Sequence, residues 1–160
     1  MKNTKQIFHT ISYLQYPLLL VGLFLIAKPI FKGYNFLSEN PEYLFETYNN
    51  ALIFLGLTLS FASLQDPSKT SLKYEQRIWR NPKKAKTIFI ITICTTSLFF
   101  VSGIIGFLAR ESLMRNFSYS SLILGIGLLG YLKLQLDIFE NYREKRKSAV
   151  TKNKKRTESN

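Results

Sequence analysis

The chain of 160 residues has one cysteine, Cys94, one histidine, His9, and one tryptophan, Trp79. A single cysteine excludes an intramolecular disulfide framework. His9 precedes the first long apolar run and Cys94 lies inside the third. One His and one Cys so placed do not assemble a zinc, haem or iron–sulfur site. No glycine-rich phosphate loop leads into a helix, and there is no nucleophile elbow. Acidic residues are scarce, ten against 22 basic ones. None lies in the middle of an apolar run, which argues against a carboxylate proton relay. The expectation is a protein that is not an enzyme and uses no metal or cofactor.

What the chain does have is segregation. A mean hydropathy of +0.01 averages long, nearly uncharged runs with short segments that carry almost all the charge. Soluble domains instead repeat charge every few residues along amphipathic elements. Four runs, at about 11–31, 50–65, 87–109 and 118–136, read as membrane spans, since roughly 20 apolar residues at ~1.5 Å each cross a bilayer. The predicted fold class is all-α, an integral membrane bundle of four antiparallel helices over residues 1–144, with neighbours in sequence packed side by side. The first run is too long for a signal-peptide core and lacks a small-x-small cleavage site, so it reads as a retained anchor.

The connections carry their own signals. Asn40-Pro41-Glu42 and Asn81-Pro82 read as helix starts, with Asn as N-cap and Pro at the first helical position. Asp66-Pro67-Ser68-Lys69 reads as a turn. Residues 70–80 predict a short interfacial helix between spans two and three. Lys73, Arg77 and Arg80 share one face, opposite Leu72, Tyr74, Ile78 and Trp79. Residues 145–160 are charged and almost free of apolar side chains, which predicts a disordered basic tail.

The net charge of +12 would suggest nucleic acid in a soluble protein. Here the basic residues flank apolar runs, so no nucleic acid is expected and anionic phospholipid headgroups are the nearer partner. Seventeen Lys and Arg fall on one side: Lys2 and Lys5, seven between Lys69 and Lys86, and eight between Arg143 and Arg156. Lys28, Lys32, Arg110 and Arg115 fall on the other. Cytoplasmic loops carry the basic excess, so both termini are expected in the cytoplasm. Lys73, Arg77, Arg80, Lys83 and Lys84 are the candidate residues for anionic-lipid binding.

Polar side chains in hydrocarbon are costly and become candidates by default. Gln15, Gln65, Asp66, Lys133, Gln135 and Asp137 fall at one level near the cytoplasmic side. Lys133 and Asp137 are spaced to pair. These groups either bridge neighbouring helices or line a pathway. The hydroxyls of Thr92, Thr95, Thr96 and Ser97 can bond the carbonyl one turn back. Small residues four apart, at Gly56 and Ser60, Ser102 and Gly106, and Ser121 and Gly125, permit close helix approach, within one chain or between copies. An offset of 70 matches Leu52-Ile53 to Leu122-Ile123 and Leu64-Gln65 to Leu134-Gln135, as two parallel hairpins would.

Ser63-Leu64-Gln65-Asp66-Pro67-Ser68-Lys69-Thr70 and Trp79-Arg80-Asn81-Pro82-Lys83-Lys84 resemble small four-helix membrane proteins of Bacteroidota. The resemblance covers the end of the second span and the loop after it. It implies a bacterial inner-membrane setting and transfers no activity. The glutamate of four-helix small multidrug transporters is absent from the first span. The expected function is therefore a structural, assembly or interaction role, with a homo-oligomer or another membrane protein as partner. The alternative is a small transporter or channel component built on the polar level.

Overall fold

The computed structural model describes the backbone of residues 2–66, 78–79 and 81–157, and the side chains of 6–66, 78–79 and 81–144. The described residues are helical, with no strand among them. Helix α1 is Lys2–Ile11, followed by a 3-10 turn at Ser12–Leu14 and helix α2, Gln15–Lys32. The tight turn precedes Pro17, which lacks the amide hydrogen an α-helical bond to Tyr13 would need. Gly33, at φ +79°, ends α2 in a conformation that L side chains avoid. Helix α3 is Tyr34–Glu39, α4 is Pro41–Ala62, α5 is Pro82–Phe107 and α6 is Ser112–Thr157.

Both Asn-Pro starts hold, by different means. The Asn81 side chain accepts from the Lys83 amide at 3.1 Å and caps α5. Asn40 makes no such cap; its Nδ2 donates back to the Phe36 carbonyl at 3.1 Å and closes α3 instead. At the other end, α6 stays helical to Thr157, where the sequence predicts a disordered tail from residue 145. Lys, Arg, Glu and Ala are good helix formers, and a helix extending from a formed span needs no new nucleus.

Three helical stretches are long and apolar enough to cross a membrane: Gln6–Lys32, Pro82–Phe107 and Ser112–Glu144. The expected second span, α4, is not among them. Glu42, Glu46, Thr47, Asn49 and Asn50 occupy its first half, and its apolar part begins only at Ala51. The packing explains this composition. Helix α4 lies between α2 and α6 and contacts both extensively, and it buries Thr47, Asn49 and Thr58. A helix covered by protein on two sides needs less apolar surface than one facing lipid.

The helices form a row in the order α2, α4, α6, α5. Neighbours in sequence pack side by side for α2 with α4 and for α5 with α6, and the expectation fails for α4 and α5, which α6 separates. Small residues set this order. A Cβ built on Gly56 would meet the Ile123 carbonyl oxygen at 2.8 Å, and one built on Gly127 would collide with the Gly56 backbone. Backbones meet there because neither residue has a side chain. Asn49 faces Ser120 and Ser63 faces Gly130, so α4 and α6 run parallel. On the other flank of α6, Gly103 faces Leu122 and Phe100 faces Gly125, so α5 runs antiparallel.

The outer helices are covered on one side only. On α2 the covered stripe includes Gln15, Leu18, Gly22, Leu25 and Pro29, at alternating steps of three and four. Outside these stripes, Leu20 on α2 is 68% exposed and Leu98 on α5 is 64% exposed. Ser118, Ser120, Ser121, Thr96 and Gln135 are meanwhile buried. A soluble fold sorts its side chains the other way. Large apolar groups outside and small polar groups between helices are compatible with a membrane protein.

Candidate functional site

Helix directions bring the start of α2, the end of α4, the start of α5 and the 133–144 stretch of α6 to one end of the row. All six residues of the predicted polar level lie there, but the structure does not gather them into one site. Gln15 is half-buried on the stripe of α2 that faces α4. Gln65 and Asp66 are half-buried just beyond α4. Lys133 is exposed and Asp137 half-buried, with no ion pair between them. The pairing expected from their spacing does not form because Lys133 points outward from the row.

Gln135 is the exception, only 1% exposed and facing α5. Its Nε2 donates to Thr92 Oγ1 at 3.1 Å, and Thr92 Oγ1 donates to the Ile88 carbonyl at 2.9 Å. Thr92 has one hydroxyl hydrogen, spent on Ile88, so it can only accept from Gln135. The amide orientation is thereby fixed. Gln135 Oε1 is left buried with no hydrogen-bond partner among the described residues. An unpaired buried carbonyl costs about 1–3 kcal/mol.

Further polar bridges join α6 to both neighbours. Ser120 Oγ donates to Asn49 Oδ1 at 3.2 Å across the α4–α6 contact. Ser102 and Ser121 hydroxyls meet at 2.8 Å across the α5–α6 contact, and Ser121 also donates to the Phe99 carbonyl at 3.1 Å. Thr92, Thr95 and Thr96 bond the carbonyl four residues back, as expected, while Ser97 does not; Thr58 makes the same bond on α4. Asn49 and Ser120 escaped sequence reasoning. The signal was an asparagine pair, Asn49-Asn50, abutting an apolar run with no helix end to cap.

Of the lipid-binding candidates, Lys83 and Lys84 are exposed in the first turn of α5. Lys73, Arg77 and Arg80 lie outside the described residues, as does nearly all of the expected interfacial helix. Trp79, expected on the apolar face of the interfacial helix, is covered by protein. It is 8% exposed and packs with Ala85, Leu134 and Ile138, flanked by Tyr131, Phe139 and Tyr142. Burial of an indole among aliphatic and aromatic groups removes a large apolar area from water. Trp79 therefore fastens the end of the loop to α6.

Cys94 is exposed on α5. No group of three or more His, Cys, Asp or Glu that could hold a metal occurs among the described residues. Compared with protein-family models, curated proteins and solved structures, the chain matches none.

Proposed function

We propose that the chain is a four-span protein of a bacterial inner membrane, with α4 as the fourth span and both termini in the cytoplasm. Its role is structural, as an assembly or interaction component, and not enzymatic. The carrying observation is that the buried polar groups are used to join helices. Asn49, Ser102, Ser120, Ser121, Thr92 and Gln135 bond one another across the α4–α6 and α5–α6 contacts. An open row also presents long apolar flanks on α2 and α5, to lipid or to a partner's helices. Affinity purification in a mild detergent tests this reading. A membrane protein recovered in constant ratio with the chain supports it, and a chain that purifies alone as a monomer counts against it.

Labelling of single cysteines tests the span count, in a Cys94→Ser background. Ser38→Cys, in α3, should react with an impermeant thiol reagent added outside intact spheroplasts. Ser71→Cys should react only after the inner face is opened. Reaction of both from one side would leave α4 outside the membrane.

The transporter reading keeps one supporting observation, the unpaired Gln135 Oε1. Replacing Gln135 by Leu separates the two readings. As a packing group, its loss removes one bond and one orphaned carbonyl together. The change in stability should then stay within about 1 kcal/mol. A stable Gln135→Leu protein that no longer supports its cellular role would favour a pathway.

The basic loop belongs to the same proposal. With Lys83 and Lys84 exposed at the start of α5, anionic headgroups of the cytoplasmic leaflet are its partner. Each such lysine contributes about 1 kcal/mol near an anionic surface.

A further inference from the structure

The end of the row opposite the basic loop holds two lysines on one aromatic platform. Lys28 and Lys32 are one turn apart at the end of α2. Lys28 Nζ lies 5.5 Å from the centre of the Tyr43 ring, and Lys32 Nζ lies 5.4 Å from that of Phe36. The two rings meet edge to face, 5.4 Å apart at 85°. Phe36 comes from α3 and Tyr43 from α4, so three helices build the platform. The acids of this end, Glu39, Glu42 and Glu46, form no ion pair with either lysine. Beside the platform, the Tyr43 hydroxyl is buried without a hydrogen-bond partner. Ile30 and Phe31, between the lysines, are 74% and 81% exposed.

We propose that Lys28 and Lys32 bind the phosphate of a membrane lipid in the leaflet opposite the basic loop. Ammonium groups donate hydrogen bonds and accept none, so two of them at one rim select an anion with several acceptor oxygens. Ring quadrupoles hold each ammonium in place before the ligand arrives, which lowers the ordering cost. The exposed apolar surface of Ile30 and Phe31 beside them suits an acyl chain, which a free phosphate lacks. The site rests on the reading that the row spans a membrane.

The test uses the full chain in detergent micelles with a phosphatidylglycerol carrying a photoreactive headgroup. Cross-links should map to the segment from Lys28 to Tyr43 as well as to the basic loop. Lys28→Gln with Lys32→Gln should weaken labelling of the first segment about thirtyfold and leave the loop unchanged, since each lysine carries about a factor of five. Lys83→Gln with Lys84→Gln should do the reverse, and Lys28→Arg with Lys32→Arg should retain labelling. Lys32 is exposed, so Lys32→Gln alone keeps the fold and should lower labelling about fivefold. Unchanged labelling in Lys32→Gln and in the double Gln variant would overturn the site. Equal competition by a galactolipid without phosphate would overturn phosphate recognition. Displacement by millimolar inorganic phosphate would overturn the lipid as its source. A chain released from membranes by alkaline carbonate would defeat the membrane reading itself. Absence of labelling between Lys28 and Tyr43 in the unsubstituted chain, when that chain still needs detergent, defeats only the site.

Discussion

Gly127→Leu should cost more stability than any other single substitution in this chain, more than about 3 kcal/mol. The space a side chain would need at residue 127 is filled by the backbone of Gly56, not by the flexible end of a side chain. Overpacking typically costs about 1–3 kcal/mol when neighbours can shift. Here the neighbour is a helix backbone at the centre of the row, and relief means moving α4 away from α6 along its length. That movement would also pull Asn49 from Ser120. Gly56→Leu should behave alike, since its Cβ would lie 2.9 Å from Leu124 Cα. Gly33→Ala is the control. It introduces strain at φ +79° but meets no atom within 4 Å, so it should cost only about 1 kcal/mol. Unfolding in mixed micelles with increasing denaturing detergent, followed by circular dichroism, measures all three. A Gly127→Leu protein as stable as Gly33→Ala would show that the two backbones do not touch.

The spacing of Gly56 and Ser60 pointed to a close helix approach, but spacing alone names no partner. Hydropathy reports whether a residue faces lipid or protein, and it is silent on which protein surface it faces. Three membrane-length helices were therefore legible, and so were the Asn-Pro helix starts, because both depend on local chemistry. The order of the row was not legible. It depends on two glycines far apart in sequence meeting at one depth. The offset of about 70 between the second and fourth runs did hold a trace of it. Asn49 and Ser120, side by side in space, are separated by 71 residues. The likeness of sequence falls between two parallel helices at matching depth.

The polar level was legible as a level and not as a site. Position along a helix fixes the end of the row at which a residue lies, and all six residues lie at one end. Rotation about the helix axis decides which neighbour each one meets. A one-residue difference separates Leu134, packed beside Trp79, from Gln135, sealed against Thr92. Lys133, one residue earlier, is exposed. The burial of Trp79 was hidden for a related reason. Its sequence context shows an aromatic beside basic residues, and the apolar face that receives it, Leu134 and Ile138, lies more than fifty residues away.

A disulfide should form between cysteines at positions 49 and 120, and it distinguishes the row from a bundle of sequence neighbours. The side chains of Asn49 and Ser120 are in contact, with Ser120 Oγ 3.2 Å from Asn49 Oδ1. Both sit on regular helix backbone in the buried α4–α6 contact. Bridged cysteines need Cβ atoms about 3.5–4.5 Å apart, and only directly apposed positions allow that. In a Cys94→Ser background, Asn49→Cys with Ser120→Cys should cross-link nearly completely with a membrane-permeant oxidant. If α4 packed on α5 instead, Ser120 would lose this neighbour and cysteine would have to replace an α5 residue of similar depth. Ile104 serves as that probe: it is 59% exposed on α5, beyond α6 from α4. Asn49→Cys with Ile104→Cys should stay reduced. Because the link joins two helices of one chain, it should shift mobility without forming a dimer. Its yield should also be unchanged when the protein is diluted in detergent before oxidation, since intramolecular cross-linking does not depend on concentration. Cross-linking of the 49–104 pair, or of 49–120 only as a dimer, would refute the row. In the second case α4 of one copy would lie against α6 of another, and the glycine contact would be an interface between molecules.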